Sequence, residues 1–413
     1  MRKTAIMILA LMLAFSFTGC KEPDKLAYGK PVKRPEAVDI SEQNEIVTDF
    51  AVRLLQNTFT GEENVLLSPV SILFGLSLIA NGAEGESLSQ IESTVGMSAE
   101  EMNAYLYSYT HQLSENWDMD NKLHIANSLW INKDKNITVS DEFLKKNEMY
   151  YDASIFYTEF DQSCVEDTNK WIREQTDGKV DEIMNEIPED ASMYLVNSLV
   201  YEGMWTEKVS SYTQSDFTRT FAPVLSGNEE FSIMYERESV YLEDIAASGF
   251  MKYFAHGKYA FVVLLPNEDQ DIKTYIQNLT GKRLYRILSN PIQESNVVGV
   301  WMPLFAFDYE TNMKDVLRNM GVREILDKEK ADFSLIDSIQ NDESIQINTV
   351  FYKSCMNLNI NGINTDKENS NSEEGYALSD LAPYNIFIDR PFISMVIDCE
   401  HKIPLLIGVV NCI

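Results

Sequence analysis

The sequence predicts an α+β fold, with helices in the first half of the chain and strands in the second. Three observations support this prediction. Helical apolar spacing alternates with short apolar runs up to about Trp205. Beyond that residue, apolar runs of strand length follow one another. No internal repeat or long low-complexity segment interrupts this order. Helices followed by strands are typical of helices packed on mixed or antiparallel sheets.

The first elements of the fold follow from apolar spacing. Residues 42–58 carry apolar side chains near helical spacing and predict an amphipathic helix. The stretch NVLLSPVSILFGLSLIANGAEGES, which begins at Asn64, predicts a short strand and a helix that starts at Ser-Pro and ends at Gly82. That helix is apolar on nearly all sides, so we expect it to be buried.

The later elements are predicted strands. GFMKYFAHGKYAFVVLLPNE predicts a hairpin with His256 and Gly257 at its turn. Further strands are predicted in VVGVWMPLFAFDYE, VFYKSCMNLNI, IFIDRPFISMVID and IPLLIGVVNCI. A polar, acidic stretch at 359–385 separates two of them. Loops longer than about 12–15 residues inside a compact domain are usually functional or disordered.

The composition indicates a globular protein with a large core and an acidic surface. Of the 413 residues, 45% are hydrophobic, and 20 Phe, 20 Tyr and 5 Trp provide bulky side chains, which excludes a disordered chain. The formal net charge is −30. Contacts with nucleic-acid phosphates need clusters of Lys and Arg, and the sequence has no dense basic run, so we expect no nucleic-acid partner.

The N-terminus has the pattern of an export signal. The chain begins with MRK, continues with an apolar run at 5–17 and reaches Cys20 directly after small residues. This pattern resembles the bacterial lipoprotein cleavage box, so 1–19 is predicted to be a lipoprotein signal peptide and Cys20 the lipidated residue. The alternative is an ordinary signal peptide followed by a chance Cys. We expect an exported protein, either an outer membrane lipoprotein or one at the cell surface or outside the cell, with no membrane contact except its lipid.

Residues 20–39 are predicted to be a tether and residues 40–413 the folded domain. The segment 21–39 holds three prolines and no apolar period. We expect the protein to be a monomer.

The sequence offers little for catalysis or metal binding. None of the four His lies in HExxH, and GxSxG, GxGxxG and the P-loop pattern are absent. Cys164, Cys355, Cys399 and Cys412 show no metal-binding spacing, and nothing in the sequence pairs them. We therefore expect buried or free thiols, no cofactor, no metal site and no enzymatic activity.

Several blocks of sequence, in order from about Glu42 to the C-terminus, resemble the serpin family. They are NVLLSPVSILFGLSLIANGAEGESLSQI, IANSLWINKD, NKWIREQTDGKVDEIM, LVNSLVYEGMWTEKV, MPLFAFDYETNMKDVLRNMGVREILDKEKADFSLI, and IFIDRPFISMVID with LLIGVVNCI. The resemblance implies one domain with three β-sheets, about nine helices and an exposed reactive-centre loop at about 362–385.

The resemblance also implies a trapping mechanism. A serine or cysteine protease cleaves the loop of an inhibitory serpin and forms an acyl-enzyme. Before the ester hydrolyses, the loop inserts into the central sheet as a new strand, and the protease is dragged across the molecule and distorted. The native fold is then a kinetically trapped state whose strain is released by insertion. The implied partner is a target protease, and the chain does no chemistry of its own.

Position by position, the resemblance assigns residues to the opening of the sheet. Ser68 and Ser71 start the helix beneath the central sheet, and with Asn197 they resemble the hydrogen-bonded cluster that lets the sheet part. The family usually adds a His where this chain has Tyr352. Trp205 matches the family's Trp at the point where the loop enters the sheet.

The hinge of the loop departs from the family pattern. Gly362 aligns with the hinge glycine, but Ile363, Thr365 and Lys367 follow at the inward positions where the family has small residues. In the same register, Glu373 would also be buried. Burial of an unpaired charge costs several kcal/mol, so insertion past Thr365 is predicted to be unfavourable unless the sheet provides partners. This favours, as the alternative function, a non-inhibitory serpin-fold binding protein.

The scissile bond is predicted by counting along the loop. In the family this chain resembles, the distance from the hinge glycine to the cleaved bond is nearly constant, and the resemblance therefore places that bond at Tyr376-Ala377. Counting back from DRPF moves it to Leu378 or Asp380, because the loop is about four residues longer than usual. Tyr376 or Leu378 would suit a protease with an apolar primary pocket, and Asp380 a protease that accepts acids. We prefer Tyr376.

Overall fold

The computed structural model describes most of the folded part of the chain. The described residues are 23–115, 120–151, 153–188, 190–206, 209–214, 231–336, 345–365 and 382–413. Several predicted features lie outside them, namely the signal peptide at 1–19, Cys20, Lys367, Tyr376, Ala377, Leu378 and Asp380.

The described residues contain nine α-helices, as the resemblance implied. They are α1 Asn44–Thr58, α2 Pro69–Ala80, α3 Gly85–Val95, α4 Ala99–Glu115, α5 Asp141–Tyr151, α6 Gln162–Gln175, α7 Ile272–Asn278, α8 Gly281–Ser289 and α9 Lys314–Met320. None of these described helices is long and apolar enough to cross a bilayer.

Strands make up the rest of the regular structure. They are β1 Asp24–Leu26, β2 Val65–Leu67, β3 Asn121–Asn132, β4 Ser154–Thr158, β5 Met193–Met204, β6 Ser210–Gln214, β7 Phe231–Glu243, β8 Ala247–Tyr253, β9 Tyr259–Pro266, β10 Ile292–Pro303, β11 Phe305–Asn312, β12 Ile347–Asn359, β13 Gly362–Ile363, β14 Tyr384–Phe387, β15 Phe392–Asp398 and β16 Ile403–Val410. The predicted α+β class is therefore confirmed.

The described strands form two hydrogen-bonded sheets, whereas three were expected. The seven-stranded central sheet has the order β1-β4-β3-β5-β13-β12-β11. The nine-stranded sheet has the order β14-β10-β7-β8-β9-β15-β16-β2, with β6 paired to β7. The long strand β7 pairs with β10 over most of its length and with β8 at its end. This shared strand joins the strands outside the central sheet into one continuous sheet.

The central sheet is covered on both faces. On one face lies α2, which is buried at every residue and begins after Ser68, whose side chain accepts a hydrogen bond from the Ser71 N–H. This confirms the predicted buried helix with a Ser-Pro start. On the other face lies α6, packed over a separate apolar cluster that includes Trp130, Ile172 and Tyr194. Both faces of the central sheet are therefore packed against helices.

Two of the predicted strands are each divided in two. VVGVWMPLFAFDYE forms β10 and β11, which belong to different sheets, and IFIDRPFISMVID contributes to β14 and β15. The breaks fall near Pro303 and Pro391, where proline has no N–H to continue a ladder. The predicted hairpin is formed by β8 and β9, and its turn residues His256 and Gly257 have φ values of 66° and 68°.

Part of the predicted tether is a folded element. The strand β1 pairs antiparallel with β4, with Leu26 opposite Ile155. Arg34 Nη1 then donates to the carbonyls of Glu148 and Met149 at 2.8 and 3.0 Å. The prediction of a tether over the whole of 20–39 was wrong here, because a short edge strand held by backbone hydrogen bonds needs no apolar period of its own.

Candidate functional site

The two middle strands of the central sheet separate at one end. The strands β5 and β12 pair directly in parallel from Met193 and Ile347 as far as Ser198 and Lys353. Beyond that point β13 lies between them and is antiparallel to both. We call the place where β5 and β12 converge below β13 the fork. The first residues of the predicted hinge are thus already part of the sheet.

Glycine is required at the start of the hinge. A Cβ added to Gly362 would lie 1.8 Å from the carbonyl oxygen of Gly203, with φ at +157°. No side chain fits at that distance, so Gly362 allows the backbone to pass beside β5. This contact accounts for a glycine at the position predicted as the hinge.

The next hinge residue is anchored in the core. Ile363 is fully buried and lies opposite Leu358 on one side and Gly203 on the other. Thr365 follows at the rim, where its hydroxyl lies 3.3 Å from the Asn359 side chain. The family's small residue at the first inward position is thus replaced here by a large apolar residue that the core accommodates.

Trp205 lies beside the turn between β12 and β13. Its indole Nε1 donates to the Asn359 carbonyl at 3.1 Å, and its backbone N–H donates to the Asn361 carbonyl at 2.9 Å. Its ring stacks on Phe254 with centroids 4.6 Å apart. Trp205 thereby holds the turn that leads from β12 into the hinge.

The predicted cluster beneath the sheet is present. Ser71 Oγ lies 2.9 Å from Asn197 Oδ1, and Asn197 Nδ2 donates to the Ser71 carbonyl at 2.6 Å. Asn197 Nδ2 also donates to Asn127 Oδ1 on β3. The structure therefore brings Ser68, Ser71 and Asn197 together and adds Asn127. Sequence reasoning did not identify Asn127, although it lies in the quoted IANSLWINKD block.

Tyr352 lies beside this cluster without completing it. It is opposite Asn197 in the register of β5 and β12 and is only 1% exposed. Its hydroxyl lies near Ser354 and the Ser68 backbone but makes no well-formed hydrogen bond to any described residue. Burial raises the pKa of Tyr352 far above its usual value. A buried polar group without a partner is costly, and such groups are rare in folded proteins.

Two serine hydroxyls join the middle strands just below the fork. Ser198 Oγ donates to the Lys353 carbonyl, and Ser354 Oγ donates to the Leu199 carbonyl, each at 2.7 Å. These bonds close the sheet where the direct pairing of β5 and β12 ends. They must break if a further strand is to enter.

A network of charged groups borders the hinge on the α6 side. Glu202 Oε1 lies 2.9 Å from His124 Nε2 and 3.5 Å from Lys122 Nζ, and Glu202 Oε2 lies 3.3 Å from Lys179 Nζ. His124, Glu202 and Asp177 are close enough to share one metal ion. Both carboxylates already have lysine partners, however, since Lys122 also lies 3.5 Å from Asp177. The network fits a set of ion pairs better than a metal site.

The four cysteines of the domain are free thiols. Burial raises the pKa of Cys164 and Cys355 to about 11 and that of Cys399 to about 12. A thiol with a raised pKa carries little of the reactive thiolate form at neutral pH. Nothing at these three positions points to thiol chemistry.

Comparison with known proteins identifies the family to which the domain is similar. The family model described as "Serpin (serine protease inhibitor)" matches residues 45–413. An uncharacterized serpin-like protein of Methanosarcina acetivorans is 23% identical, over 99% of this chain and 97% of its own length. The leukocyte elastase inhibitor A of Mus musculus is 24% identical, over 84% of this chain and 93% of its own length.

A solved structure has the same fold. The native state of tengpin, a thermophilic serpin, is 28% identical and superposes with a TM-score of 0.84, covering 95% of this chain and all of that chain. The family match spans the described domain from α1 to the C-terminus. The chain therefore belongs to the serpin family.

Proposed function

We propose that this serpin inhibits an endopeptidase by cleavage of its loop at 362–385 and insertion of that loop into the central sheet. The observation that carries the proposal is β13, which already occupies the gap between β5 and β12 and is antiparallel to both. The hinge thus already lies on the path that an inserting strand would follow. The family description as serine protease inhibitors supports the same function.

The charged loop argues against insertion unless the sheet offers partners, and the register of β13 indicates what those partners are. Ile363 lies opposite Leu358, and each further loop residue would face the preceding residue of β12. Lys367 would then face Ser354, on the same side of the sheet. Parting of the strands breaks the hydrogen bond from Ser354 to β5, which leaves its hydroxyl oxygen available to the Lys367 ammonium.

The same register gives a partner to the buried tyrosine. Asn369 would lie between Tyr352 of β12 and Asn197 of β5. The Tyr352 hydroxyl makes no well-formed bond to a described residue, so an amide placed beside it would satisfy a group that is unsatisfied before insertion. The gain from such a bond is on the order of 1 kcal/mol, with a larger effect when a buried group is otherwise orphaned. Lys367 and Asn369 would thus each face a polar side chain of β12.

We infer that the chain is not itself an enzyme and that its partner is a serine or cysteine endopeptidase. The proposed scissile bond remains Tyr376-Ala377, with Leu378 and Asp380 as alternatives. Tyr376 would suit a protease with an apolar primary pocket.

The proposed lipid at Cys20 would hold the domain close to the membrane. Asp24 already lies in β1, so only residues 21–23 separate it from Cys20. Three extended residues span about 10 Å. We therefore place the exported protein at a membrane surface, in the outer membrane or at the cell surface, rather than at the end of a long tether.

The test is a panel of serine and cysteine endopeptidases, incubated with the full chain and analysed for protease–serpin complexes that resist denaturation. The matched control is Thr365→Arg, which places a charged side chain at the next inward position and should block insertion. We expect a complex with the unaltered protein and cleavage without a complex for the control. The proposal that the loop inserts is wrong for this chain if both proteins are cleaved and neither forms a complex.

The second candidate is a serpin-fold binding protein that does not inhibit. Lys367 and Glu373 favour it, because both would enter the sheet and Glu373 would face Met193, an apolar residue. Cleavage without any complex, for every protease that cuts the loop, is the result that supports this alternative.

A further inference from the structure

We infer that Asn364 is a positioning residue that holds the hinge at its present depth in the central sheet and sets the rate at which the loop advances. The inference rests on the proposed insertion. It follows from the bonds that the Asn364 side chain makes inside the fork.

The Asn364 side chain bonds to both middle strands and is only 6% exposed. Its Nδ2 donates to the carbonyl of Tyr201 on β5 at 2.8 Å and to that of Cys355 on β12 at 3.2 Å. Its Oδ1 accepts from the N–H of Asn357 at 2.8 Å. One amide therefore satisfies three backbone groups at the point where the strands converge.

On the β5 side, this amide makes the hydrogen bond that the backbone of the next inserted residue would otherwise make. Hydrogen-bonded pairs recur at every second residue of an antiparallel ladder. The Trp205 N–H donates to the Asn361 carbonyl, and continuing that ladder assigns the Tyr201 carbonyl to the N–H of Thr365. The carbonyl is instead bonded to Asn364 Nδ2.

On the β12 side too, the Asn364 side chain replaces backbone hydrogen bonds of the continued ladder. The Asn364 N–H donates to the Asn357 carbonyl at 2.9 Å, so the continued ladder assigns the Cys355 carbonyl to the N–H of residue 366. Asn364 Nδ2 bonds to that carbonyl as well. The return bond, from the Asn357 N–H, goes to Asn364 Oδ1 instead of the Asn364 backbone carbonyl.

The Asn364 backbone has turned out of the strand direction. Its φ is +53°, in the left-handed region that Asn tolerates better than most residues. Its carbonyl accepts a bond from Lys179 Nζ at 3.2 Å, and Lys179 is itself 3.3 Å from Glu202 Oε2. The turn and the lysine together end the inserted segment at this residue.

These bonds stabilise the partly inserted hinge against movement in either direction. To advance, Asn364 must leave the left-handed region and release all three strand groups. The N–H groups of residues 365 and 366 can then donate to the Tyr201 and Cys355 carbonyls, and the Asn364 carbonyl can accept from the Asn357 N–H. The fully inserted strand recovers the same backbone bonds. Asn364 is therefore expected to slow insertion without lowering the stability of the inserted form.

The test compares Asn364→Ala and Asn364→Gly with Asn296→Ala in the full chain. Asn296 has φ +54° and is exposed on β10, outside the central sheet, so it controls for loss of a left-handed Asn. The Asn364→Gly variant can keep the left-handed backbone without strain, so it removes the side-chain amide without adding backbone strain. Intact protein is incubated below its unfolding midpoint, and the fraction converted to a heat-resistant form is followed with time.

We expect both Asn364 variants to convert at least roughly tenfold faster than the unaltered protein, since each loses three bonds of the starting state. We expect Asn296→Ala to convert at the unaltered rate. The converted forms should all unfold at the same midpoint, a result that general destabilisation would not give. Conversion of both Asn364 variants at or below the unaltered rate overturns the inference.

Nicked protein separates this inference from the proposed function. If loop cleavage stabilises the unaltered protein while the Asn364 variants convert at its rate, only the role of Asn364 is wrong. If only the variants become heat-resistant, Asn364 holds the hinge but the unaltered protein does not trap. If no form becomes heat-resistant, both are wrong.

Discussion

Tyr352 and Asn197 are direct neighbours across the two middle strands, yet their side chains do not satisfy each other. Asn197 bonds to Ser71 and Asn127, whereas the Tyr352 hydroxyl is buried without a well-formed bond to a described residue. The native sheet thus leaves a polar group unsatisfied along the line where the loop is proposed to enter.

Tyr352→Phe should separate the native state from the inserted state. Removal of a hydroxyl that makes no good bond is expected to leave the intact protein as stable or to stabilise it by up to about 1 kcal/mol. The same change should reduce the stabilisation gained on loop cleavage, because Asn369 would lose its partner. Thermal unfolding of intact and nicked protein measures both effects. An intact variant that is strongly destabilised would show that the hydroxyl is bonded after all.

Gly362→Ala should expel the hinge from the sheet. The added methyl would lie 1.8 Å from the Gly203 carbonyl oxygen, so β13 cannot keep its position. We expect faster amide hydrogen exchange along β5 near Gly203 and Trp205, with little change in α1. The control is Gly257→Ala, since Gly257 also has a positive φ of 68° but has nothing within 4 Å of an added Cβ. Equal exchange at β5 in both variants would contradict the observed docking of β13.

Asp398→Asn should weaken the pH dependence of the free energy of unfolding at low pH. Asp398 is fully buried, and burial alone would raise its pKa. Its contacts have the opposite effect: His401 Nδ1 lies 3.2 Å from the carboxylate, which also accepts from the N–H groups of Glu400 and His401. Together these contacts hold the pKa of Asp398 below the ordinary 3.8. The stability from the ionised form is present above the unfolded pKa and is lost as the pH falls through the folded one.

At pH 7, Asp398→Asn is therefore expected to lower the free energy of unfolding by about 1–3 kcal/mol. The difference from the unaltered protein should narrow below about pH 4. Chemical denaturation at pH 7, 5 and 3 provides the comparison. A difference that stays constant over this range would mean that the folded and unfolded pKa values of Asp398 are the same.

Leu26→Ser should destabilise the domain although Leu26 lies in the predicted tether. Leu26 is half-buried against the main core, while its neighbour Lys25 is exposed. We expect Leu26→Ser to cost about 1–2 kcal/mol from lost apolar burial, and Lys25→Ser to change stability by less than about 0.5 kcal/mol. Equal midpoints for the two variants in thermal unfolding would show that the segment is a tether in solution.

The fold could be predicted from sequence where apolar periodicity is strong. The wholly buried α2 and the β8–β9 hairpin follow directly from their spacing and turn residues. The joining of two expected sheets through β7 could not be predicted, because strand order depends on tertiary pairing that no local pattern encodes. The strand β1 was missed for a related reason: its stability comes from the backbone of β4.

The site was predictable only where the chain resembles the serpin family. Through that resemblance, Gly362, Trp205 and the set of Ser68, Ser71 and Asn197 stand out in the sequence. Asn364 does not, since an Asn in a polar loop has no periodic or motif signal. One cue was available: Asn tolerates positive φ, and it follows the two hinge residues directly. Lys179 and Glu202 belong to distant segments that only the fold brings together.

The central claim is most directly tested by thermal unfolding of the full chain before and after limited cleavage between residues 366 and 381. We predict that cleavage raises the unfolding midpoint by roughly 10 °C or more, because insertion of the released loop relieves the kinetically trapped native state. An unchanged or lower midpoint after complete cleavage would contradict the account and show that the loop stays outside the sheet.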